Sequence, residues 1–327
     1  MFNWLVSEMT TNGLADRPYI SLLPSVDFEP IFIMGFPRSG TTFLYQTLVA
    51  TECFNFVSAY HIIKYNKLLY NHFNQIETKA KGELEKYFYS LGINTRGIDK
   101  VKVTPDLPEE YAFAISEYEF SLNSRNLDRF IELCRKIQFI SKTKRPLLHK
   151  SPYFQPFLFI KKTFPEAKFI FIHRHPIPVI NSWLKANRNL WLKKNPYVAL
   201  ISKDYQRLVD NPWQRAFKSL SYSQYFELGL HRITKKYIEE VNFFLNNVES
   251  LPQHNYISVR YEDLCAQPET TIQNILKFLG LSAKVTLDYE KLSEPRQLNL
   301  LPEVEKKSEK ILKQLQPYLA YCGYDLS

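Results

Sequence analysis

The chain has 327 residues, of which 45% are hydrophobic and 23% are charged. This balance is typical of a folded globular protein and excludes a chain that is disordered throughout. Its 42 Lys and Arg against 33 Asp and Glu give a formal charge of +9, which suits an anionic ligand or partner. The basic residues are spread along the chain rather than clustered in a stripe, which argues against nucleic acid as the partner.

The N-terminal segment and the cysteines bear on the compartment. The start, MFNWLVSEMTTNG, has no basic region and only a broken apolar stretch, so we expect no signal peptide. No apolar run approaches the ~20 residues that span a bilayer, and we expect a cytoplasmic protein, with peripheral membrane contact left open. The four cysteines lie far apart without metal-ligand spacing, so we predict no metal site and mostly buried thiols: Cys53, Cys134, Cys265 and Cys322.

Short apolar runs alternate with helical patterns along much of the chain. The predicted strands cover 30–36, 145–150, 168–173 and 255–260. Each is followed by a predicted helix, at 41–50, 155–163, 177–186 and from Pro268 to the terminating Gly280. This alternation predicts an α/β fold with a central parallel sheet that helices cover on both faces.

Longer segments between these units have helical periodicity and read as helical insertions. They cover about 61–140 and 183–250, and a C-terminal helix is predicted over 302–321, starting at Pro302. No repeat or linker composition separates the parts. We therefore predict one domain over 1–327, with its core at about 30–60, 145–185 and 255–325.

Glycine is scarce, with 9 residues in 327, and two of the nine bracket a turn directly after the first strand. Residues 35–42 read GFPRSGTT and lead into the predicted helix. In a strand, turn and helix of this kind, backbone N–H groups and the helix N-terminus converge on an anion. A glycine at position 40 lets the backbone approach that anion closely. The turn therefore predicts a P-loop-like anion site.

The turn differs from the Walker A motif, which carries Lys directly after its second glycine. Thr41 stands at that place, and the cationic residue of the turn is Arg38. The strand 168–173 also leads into Arg174 rather than into an acidic ligand for Mg²⁺. These differences argue against a P-loop kinase or NTPase, which remains an alternative function.

Two more predicted strands end in a cationic side chain. Lys150 ends one of them, Arg174 follows another, and Ser182 lies eight residues after Arg174 on the next helix. Because ligands of open α/β sheets bind at the carboxyl ends of the strands, we expect these residues beside the turn. Arginine suits forked contacts to phosphate, and the serine hydroxyl adds a donor.

Taken in chain order, these motifs resemble those of the PAPS-dependent sulfotransferases (PAPS is 3′-phosphoadenosine 5′-phosphosulfate). The similarity is to bacterial members that share motifs with tyrosylprotein sulfotransferases. It covers about 30–60, 145–185 and 255–325. The motifs that carry it are PRSGTT, KSP at 150–152, FIHR at 171–174 with Ser182, VRYEDL at 259–264 and LAYCGYD at 319–325.

The resemblance implies PAPS as the sulfuryl donor, PAP as the product, and a set of residues that bind them. Lys150 would neutralise charge on the bridging oxygen as PAP leaves, and Tyr261 would lie near the nucleotide. The 3′-phosphate would be held by Arg174 and Ser182. The 5′-phosphosulfate would be held by Arg38, Ser39, Gly40, Thr41 and Thr42.

The acceptor hydroxyl must also lose a proton, which requires a general base. The tyrosylprotein branch uses a glutamate after the turn, but the corresponding stretch here, VSAYHIIKY, contains no acid. His61 in this stretch is one candidate because histidine titrates near neutral pH. Glu110, with Glu109 beside it, is the other, since related bacterial sequences carry a Pro-x-Glu-aromatic segment there.

The expected function is O-sulfotransfer by in-line displacement to a sugar, lipid or phenolic hydroxyl, with acceptor and oligomeric state left open. The stretch 183–225 interleaves basic residues with aromatic ones. It is interpreted as a helical lid over the acceptor. The alternative is a non-enzymatic module that binds anionic lipid or polysaccharide.

Overall fold

The computed structural model describes residues 15–23, 28–99, 101–115, 121–225, 227–289 and 299–325. Within them, five strands form one sheet in the order β2–β3–β1–β4–β5, and all neighbouring strands are parallel. The predicted α/β fold with a parallel sheet is confirmed. The strands are β1 Pro30–Gly35, β2 Asn55–Phe56, β3 Leu147–Pro152, β4 Lys168–His173 and β5 Tyr256–Arg260.

Helices surround this sheet and form the segments between its strands. None of those in the described ranges is long and apolar enough to cross a lipid bilayer. They are α1 Arg17–Ile20, α2 Thr41–Ala50, α3 Ala59–Ile63, α4 Leu68–Phe73, α5 Glu77–Ser90, α6 Ala112–Ile115, α7 Leu127–Ser141, α8 Pro156–Thr163, α9 Pro176–Leu192, α10 Pro196–Ile201, α11 Lys203–Asp210, α12 Pro212–Ser221, α13 Leu228–Asn247, α14 Tyr261–Ala266, α15 Pro268–Phe278, α16 Pro302–Glu305, α17 Ser308–Gln314 and α18 Gln316–Tyr321.

The central strand β1 is buried on both faces, as its unbroken apolar sequence predicts. Successive side chains of a strand point to opposite faces. Phe32 and Met34 therefore join a core on one side of the sheet, whereas Ile31 and Ile33 join a second core that includes Leu44 of α2. The helices on both faces hold β1 in place, so the turn at its carboxyl end has a rigid base.

The strand order determines where a ligand can bind. β1 lies between β3 and β4, so the chain leaves β1 toward one side of the sheet and later returns on the other. Such a reversal of strand order opens a crevice outside the carboxyl ends of the strands. Gly35 at the end of β1 pairs with Pro152 at the end of β3, so the two strands end at the same level.

The structure differs from the sequence predictions in several elements. Helix α9 runs on to Leu192 instead of ending at residue 186. β2 was not predicted because two residues carry no periodic pattern. β3 lies two residues later than predicted and ends on Pro152. On the side that faces β2, only the first two residues of β3 are paired, so the missing N–H of Pro152 costs no hydrogen bond to β2. The predicted C-terminal helix is three short helices. Pro317 near the start of α18 lacks the N–H that a continuous helix would use.

The cysteines of the chain are free thiols. Cys53, Cys134 and Cys322 are buried, as predicted, whereas Cys265 is partly exposed. Cys134 lies in a core that also holds His149, with its Sγ 3.6 Å from Nε2 of the imidazole.

Two histidines on the strands are buried in the core and point away from solvent. The ring of His149 packs against Phe32 and Phe130, and burial lowers its pKa from 6.5 to about 3. His173 lies between the hydroxyls of Tyr318 at 3.1 Å and Ser258 at 3.3 Å, and burial lowers its pKa to about 3 as well. Both rings are therefore neutral in the fold over most of the acidic range.

Acid should destabilise the protein through these two histidines. Between pH 6.5 and about 3 the unfolded chain binds protons that the folded state excludes, so stability falls as the pH decreases. Each histidine contributes up to about 1.4 kcal/mol per pH unit. His149→Phe keeps an aromatic ring in the cluster and should lower the pH dependence by about one proton. Urea denaturation at several pH values measures this slope. The same replacement at exposed His254 is the control, and an unchanged slope in His149→Phe would contradict the assignment.

Candidate active site

The two glycines of the turn are required by close packing. Gly40 has φ +102°, and a Cβ atom there would lie 2.2 Å from Cδ2 of the Tyr261 ring. A Cβ atom at Gly35 would lie 2.7 Å from the carbonyl oxygen of Ile172 on β4. Any larger residue at either position would push the turn away from β4 or from Tyr261.

Arg38 also adopts a left-handed backbone conformation, with φ 76°, which is uncommon for a residue other than glycine. Two long-range hydrogen bonds hold it there. Nη1 of Arg174 donates to the carbonyl oxygen of Arg38 at 3.1 Å, and Nε of Arg38 donates to Oγ of Ser182 at 3.0 Å. Strained backbone of this kind persists where the surrounding structure enforces it, and it is concentrated at functional sites.

The turn presents hydrogen-bond donors that fit an anion. The Ser39 hydroxyl is buried, and its Oγ finds no hydrogen-bond partner in the described part of the chain. Buried hydroxyls in folded proteins are normally hydrogen-bonded. The first backbone N–H groups of α2, which begins at Thr41, have no acceptor within the helix. The residues present therefore fit a phosphate or sulfate group bound at this turn.

Arg174 and Tyr261 lie against the turn, although they come from different strand ends. The guanidinium of Arg174 lies 4.1 Å from the centre of the Tyr261 ring, a cation–π contact. The same ring packs on Gly40, and Ser182 binds Arg38. The structure thus brings together residues that the sequence predicted to share one anionic ligand.

Lys150 forms a second cluster beside the turn. Its ammonium is buried and lies 3.0 Å from Oγ1 of Thr42 and 3.0 Å from Oε1 of Glu110. The Glu110 side chain is 18% exposed and lines a cavity of about 210 Å³ together with Thr41 and Tyr153. The Glu110 carboxylate can therefore contact a hydroxyl group that enters the cavity, whereas the buried Lys150 ammonium lies behind the carboxylate.

Glu109 has different surroundings from its neighbour Glu110. It is fully buried, accepts a hydrogen bond from the hydroxyl of Tyr197 at 2.8 Å, and lies 3.6 Å from Nε of Arg96. Burial and the Glu109 carboxylate both raise the pKa of Tyr197, which keeps this hydroxyl protonated as a donor. The Glu109 carboxylate therefore contacts only protein groups and is not accessible to a ligand in the cavity.

A charged network that no sequence motif predicts links Glu109 to the turn. Oδ1 of Asp99 lies 3.8 Å from Nε of Arg96, and Oδ2 of Asp99 lies 4.0 Å from Nη1 of Arg38. Arg96 and Asp99 are both almost completely buried. Their positions in the sequence match no motif, so only their shared burial identifies them. Through Tyr197 this network also ties the turn to the second helical insertion.

His61 lies at the N-terminus of α3, where it takes part in the helix cap. Nδ1 of the His61 ring accepts a hydrogen bond from the backbone N–H of Ser58 at 3.1 Å, and the backbone N–H of His61 donates to Oγ of Ser58 at 3.3 Å. Burial, with the nearby Lys81 ammonium, lowers its pKa from 6.5 to about 4. The neutral ring then carries its proton on Nε2, because Nδ1 acts as the acceptor.

Removal of Arg96 should destabilise the fold strongly. Arg96→Leu removes the cation beside Glu109 in a buried site and leaves Asp99 with Arg38 at 4.0 Å, and the expected loss of unfolding free energy is about 3–5 kcal/mol. Chemical denaturation measures this loss. The double variant Arg96→Leu with Glu109→Gln removes the uncompensated charge of Glu109 and should be more stable than the single variant. A loss below about 1 kcal/mol in Arg96→Leu would show that the network contributes little.

Fold and site together define a class: an α/β protein whose turn at the carboxyl edge of a parallel sheet fits an anion. The sequence model of the sulfotransferase family matches residues 30–227 and 214–284. The chain belongs to the sulfotransferase family, and it is an enzyme of the transferase class that carries out sulfotransfer. The family predicted from the resemblance is confirmed.

Solved structures share the fold at low sequence identity. The sulfotransferase STF9 from Mycobacterium avium is 14% identical, with a TM-score of 0.59 over 95% of this chain and 81% of that one. The sulfotransferase STF1 from Mycobacterium tuberculosis H37Rv is 13% identical, with a TM-score of 0.56 over 93% of this chain and 80% of that one. None of the curated proteins matches this chain significantly.

Proposed function

We propose that the protein is a PAPS-dependent O-sulfotransferase that acts on a hydroxyl of a small-molecule, glycan or lipid acceptor. The main observation is the convergence of Arg174, Ser182 and Tyr261 on Arg38 and Gly40. A simple phosphate-binding turn needs no second basic residue from another strand. A donor with two separate anionic groups, as in PAPS, does need one.

The turn would hold the 5′-phosphosulfate. Its donors are the Ser39 hydroxyl, the Thr41 and Thr42 hydroxyls, and the N-terminal N–H groups of α2, with the Arg38 guanidinium nearby. The partial positive charge of the helix N-terminus adds to this attraction. Gly40, in its left-handed conformation, lets the Tyr261 ring pack directly against the turn.

The 3′-phosphate would bind at Arg174 and Ser182. Arginine can donate two parallel hydrogen bonds to one phosphate, and the Tyr261 ring fixes the plane of the guanidinium. The Tyr261 ring lies on Gly40 and therefore sits between the two anion-binding regions. Specificity for PAPS over nucleotides without a 3′-phosphate would follow from this second region.

Lys150 and Glu110 would serve the transfer itself. The oxygen of the acceptor hydroxyl forms a bond to sulfur while the bond from sulfur to the bridging oxygen of the donor breaks, and PAP leaves. Glu110 at the cavity wall would accept the proton of the hydroxyl. Lys150, only 3.0 Å from both Glu110 and Thr42, would stabilise the negative charge that develops on the departing oxygen.

Of the candidates for the base, the geometry favours Glu110. Glu109 is fully buried and bound by Tyr197, and the lone pair of His61 on Nδ1 is occupied by Ser58. Only Glu110 combines a contact to Lys150 with a partly exposed carboxylate on the cavity. We therefore assign the base role to Glu110, and to His61 a role in capping α3.

Replacement of Arg174 should remove the preference for a 3′-phosphate. Wild-type protein should bind PAP more tightly than adenosine 5′-phosphate, whereas Arg174→Ala should bind PAP about 10- to 100-fold more weakly and discriminate little between the two. Titration calorimetry measures both affinities. Arg232→Ala, on the exposed surface of α13, is the matched control and should bind like wild type. Absence of PAP binding by the wild type would rule out the proposed function.

Replacement of Glu110 and Lys150 should affect turnover rather than nucleotide affinity. Glu110→Gln keeps the shape of the side chain but accepts no proton, and turnover should fall about 10²- to 10⁴-fold while PAP binding persists. Lys150→Ala should likewise lower turnover while PAP binding persists. Sulfuryl transfer from labelled PAPS into extracts of the native host, analysed by mass spectrometry, provides the assay and also identifies the acceptor.

His61→Gln separates the two assignments for the base. It should keep near-normal turnover because its ring serves a helix cap. Normal turnover in Glu110→Gln together with a large loss in His61→Gln would transfer the base role to His61.

A further inference from the structure

Helix α12, Pro212–Ser221, turns its apolar side chains toward solvent. Trp213 is 86% exposed, Phe217 59% and Leu220 54%, and Ser221 is the one buried residue of the helix. Positions i, i+4 and i+7 lie on one face of a helix, so these three side chains form a continuous apolar strip. The helix itself is well defined, because Oδ1 of Asn211 accepts N–H groups from its first turn.

The apolar strip continues onto the end of the neighbouring helix α9. Leu192 is 59% exposed, and its carbonyl oxygen accepts a hydrogen bond from Nη2 of Arg215 on α12 at 3.0 Å. We call Leu192, Trp213, Phe217 and Leu220 the outer face. Tyr225 and Leu228, 80% and 49% exposed, follow α12 directly. In the described ranges, six of the fourteen large exposed apolar side chains thus fall between positions 192 and 228. Isolated exposed apolar residues are ordinary, but a group of this size marks an interaction surface.

The segment 183–225, which contains most of these side chains, has a strong excess of basic over acidic residues. Residues 183–225 contain eight Lys or Arg against two Asp, a net charge of +6 out of +9 for the whole chain. Lys193 and Lys194 follow Leu192 directly and are exposed, and Arg215 lies on α12 beside the apolar strip. The outer face is therefore apolar, aromatic and bordered by cations.

We propose that the outer face docks on the surface of an anionic lipid bilayer. A helix that inserts an apolar strip among lipid headgroups, with basic residues beside it, is the usual design of an interfacial membrane contact. Tryptophan and tyrosine prefer this depth of the bilayer, and lysine and arginine are attracted to anionic headgroups. The proposal extends beyond the transfer reaction and does not depend on it.

The positive charge of residues 183–225, together with the exposed apolar side chains, favours a membrane over other partners. A second copy of this chain would bring two surfaces of the same strong positive charge together, which opposes association. A nucleic acid would satisfy the charge but would leave Leu192 and Leu220 without an apolar environment. An anionic bilayer satisfies both properties of the surface.

The outer face is joined to the candidate active site by one helix. α9 carries Ser182 near its beginning and Leu192 at its end, a rise of about 15 Å for ten residues. Trp183, one residue after Ser182, packs on Phe36 of the turn with ring centres 4.7 Å apart. In a molecule docked through the outer face, Ser182 would therefore lie about 15 Å along α9 from the docked Leu192.

Co-sedimentation of the purified full chain with vesicles tests the proposal. The protein should bind vesicles that contain phosphatidylglycerol, bind pure phosphatidylcholine vesicles much less, and lose its preference for phosphatidylglycerol as salt rises to about 0.5 M. The double variant Trp213→Ser with Phe217→Ser should bind phosphatidylglycerol vesicles at least about tenfold more weakly. Both side chains are exposed, so circular dichroism and PAP binding should stay unchanged in this variant.

Tyr89→Ser is the matched control, because Tyr89 is 83% exposed on α5, outside the outer face. It should bind vesicles like wild type. No vesicle binding at low salt, or equal binding by wild type and the double variant, would overturn the proposal. Self-association that the double variant abolishes, without vesicle binding, would overturn it in favour of a second copy. Retention of an oligonucleotide without vesicle binding would overturn it in favour of nucleic acid.

Discussion

The contact between Gly40 and the ring of Tyr261 is the constraint on which the site depends. Only glycine can make this contact, because position 40 has a left-handed backbone conformation and no room for a Cβ atom. Tyr261 begins α14, the helix that follows β5, so the contact holds the start of α14 against the turn after β1. Tyr261 in turn positions the guanidinium of Arg174 by a cation–π contact, and Arg174 holds the carbonyl group of Arg38. Three strand ends are thus fixed to one another by packing and hydrogen bonds before any anion binds, so little reorganisation is needed when it does.

The charges around this contact are divided into two groups with different partners. At the proposed nucleotide site, the side chain of Arg38 is bound by a serine, and the guanidinium of Arg174 lies on an aromatic ring. On the side of the cavity, Lys150 is balanced by Glu110. The buried Asp99 adds a carboxylate 4.0 Å from Arg38 and limits the excess of positive charge at the turn. The proposed donor site thus lies beside the Lys150–Glu110 pair, to which we assign the proton transfer.

The helical insertions connect this chemistry to the surface. The first insertion supplies Glu110 and the buried Glu109, and the second supplies Tyr197, whose hydroxyl binds Glu109. The two insertions therefore pack on each other above the turn. α9 extends from the site to the outer face, so a single rigid element lies between the nucleotide region and the proposed lipid surface.

The sequence by itself determined the α/β class and the family, because these rest on local signals: apolar runs, a strand followed by a glycine turn and a helix, and short motifs. It also named Arg38, Lys150, Arg174 and Ser182, since each stands at a strand end or one helix later. It left three acidic or imidazole groups open as the base and overlooked Asp99 and Arg96. It singled out 183–225 as basic and aromatic, but not which of its side chains are exposed. Only the tertiary structure separated Glu110 from Glu109 and His61, because burial and hydrogen-bond partners depend on segments distant in the chain. It likewise decided which side of α12 faces solvent, since a helical apolar pattern is the same whether it is buried or exposed.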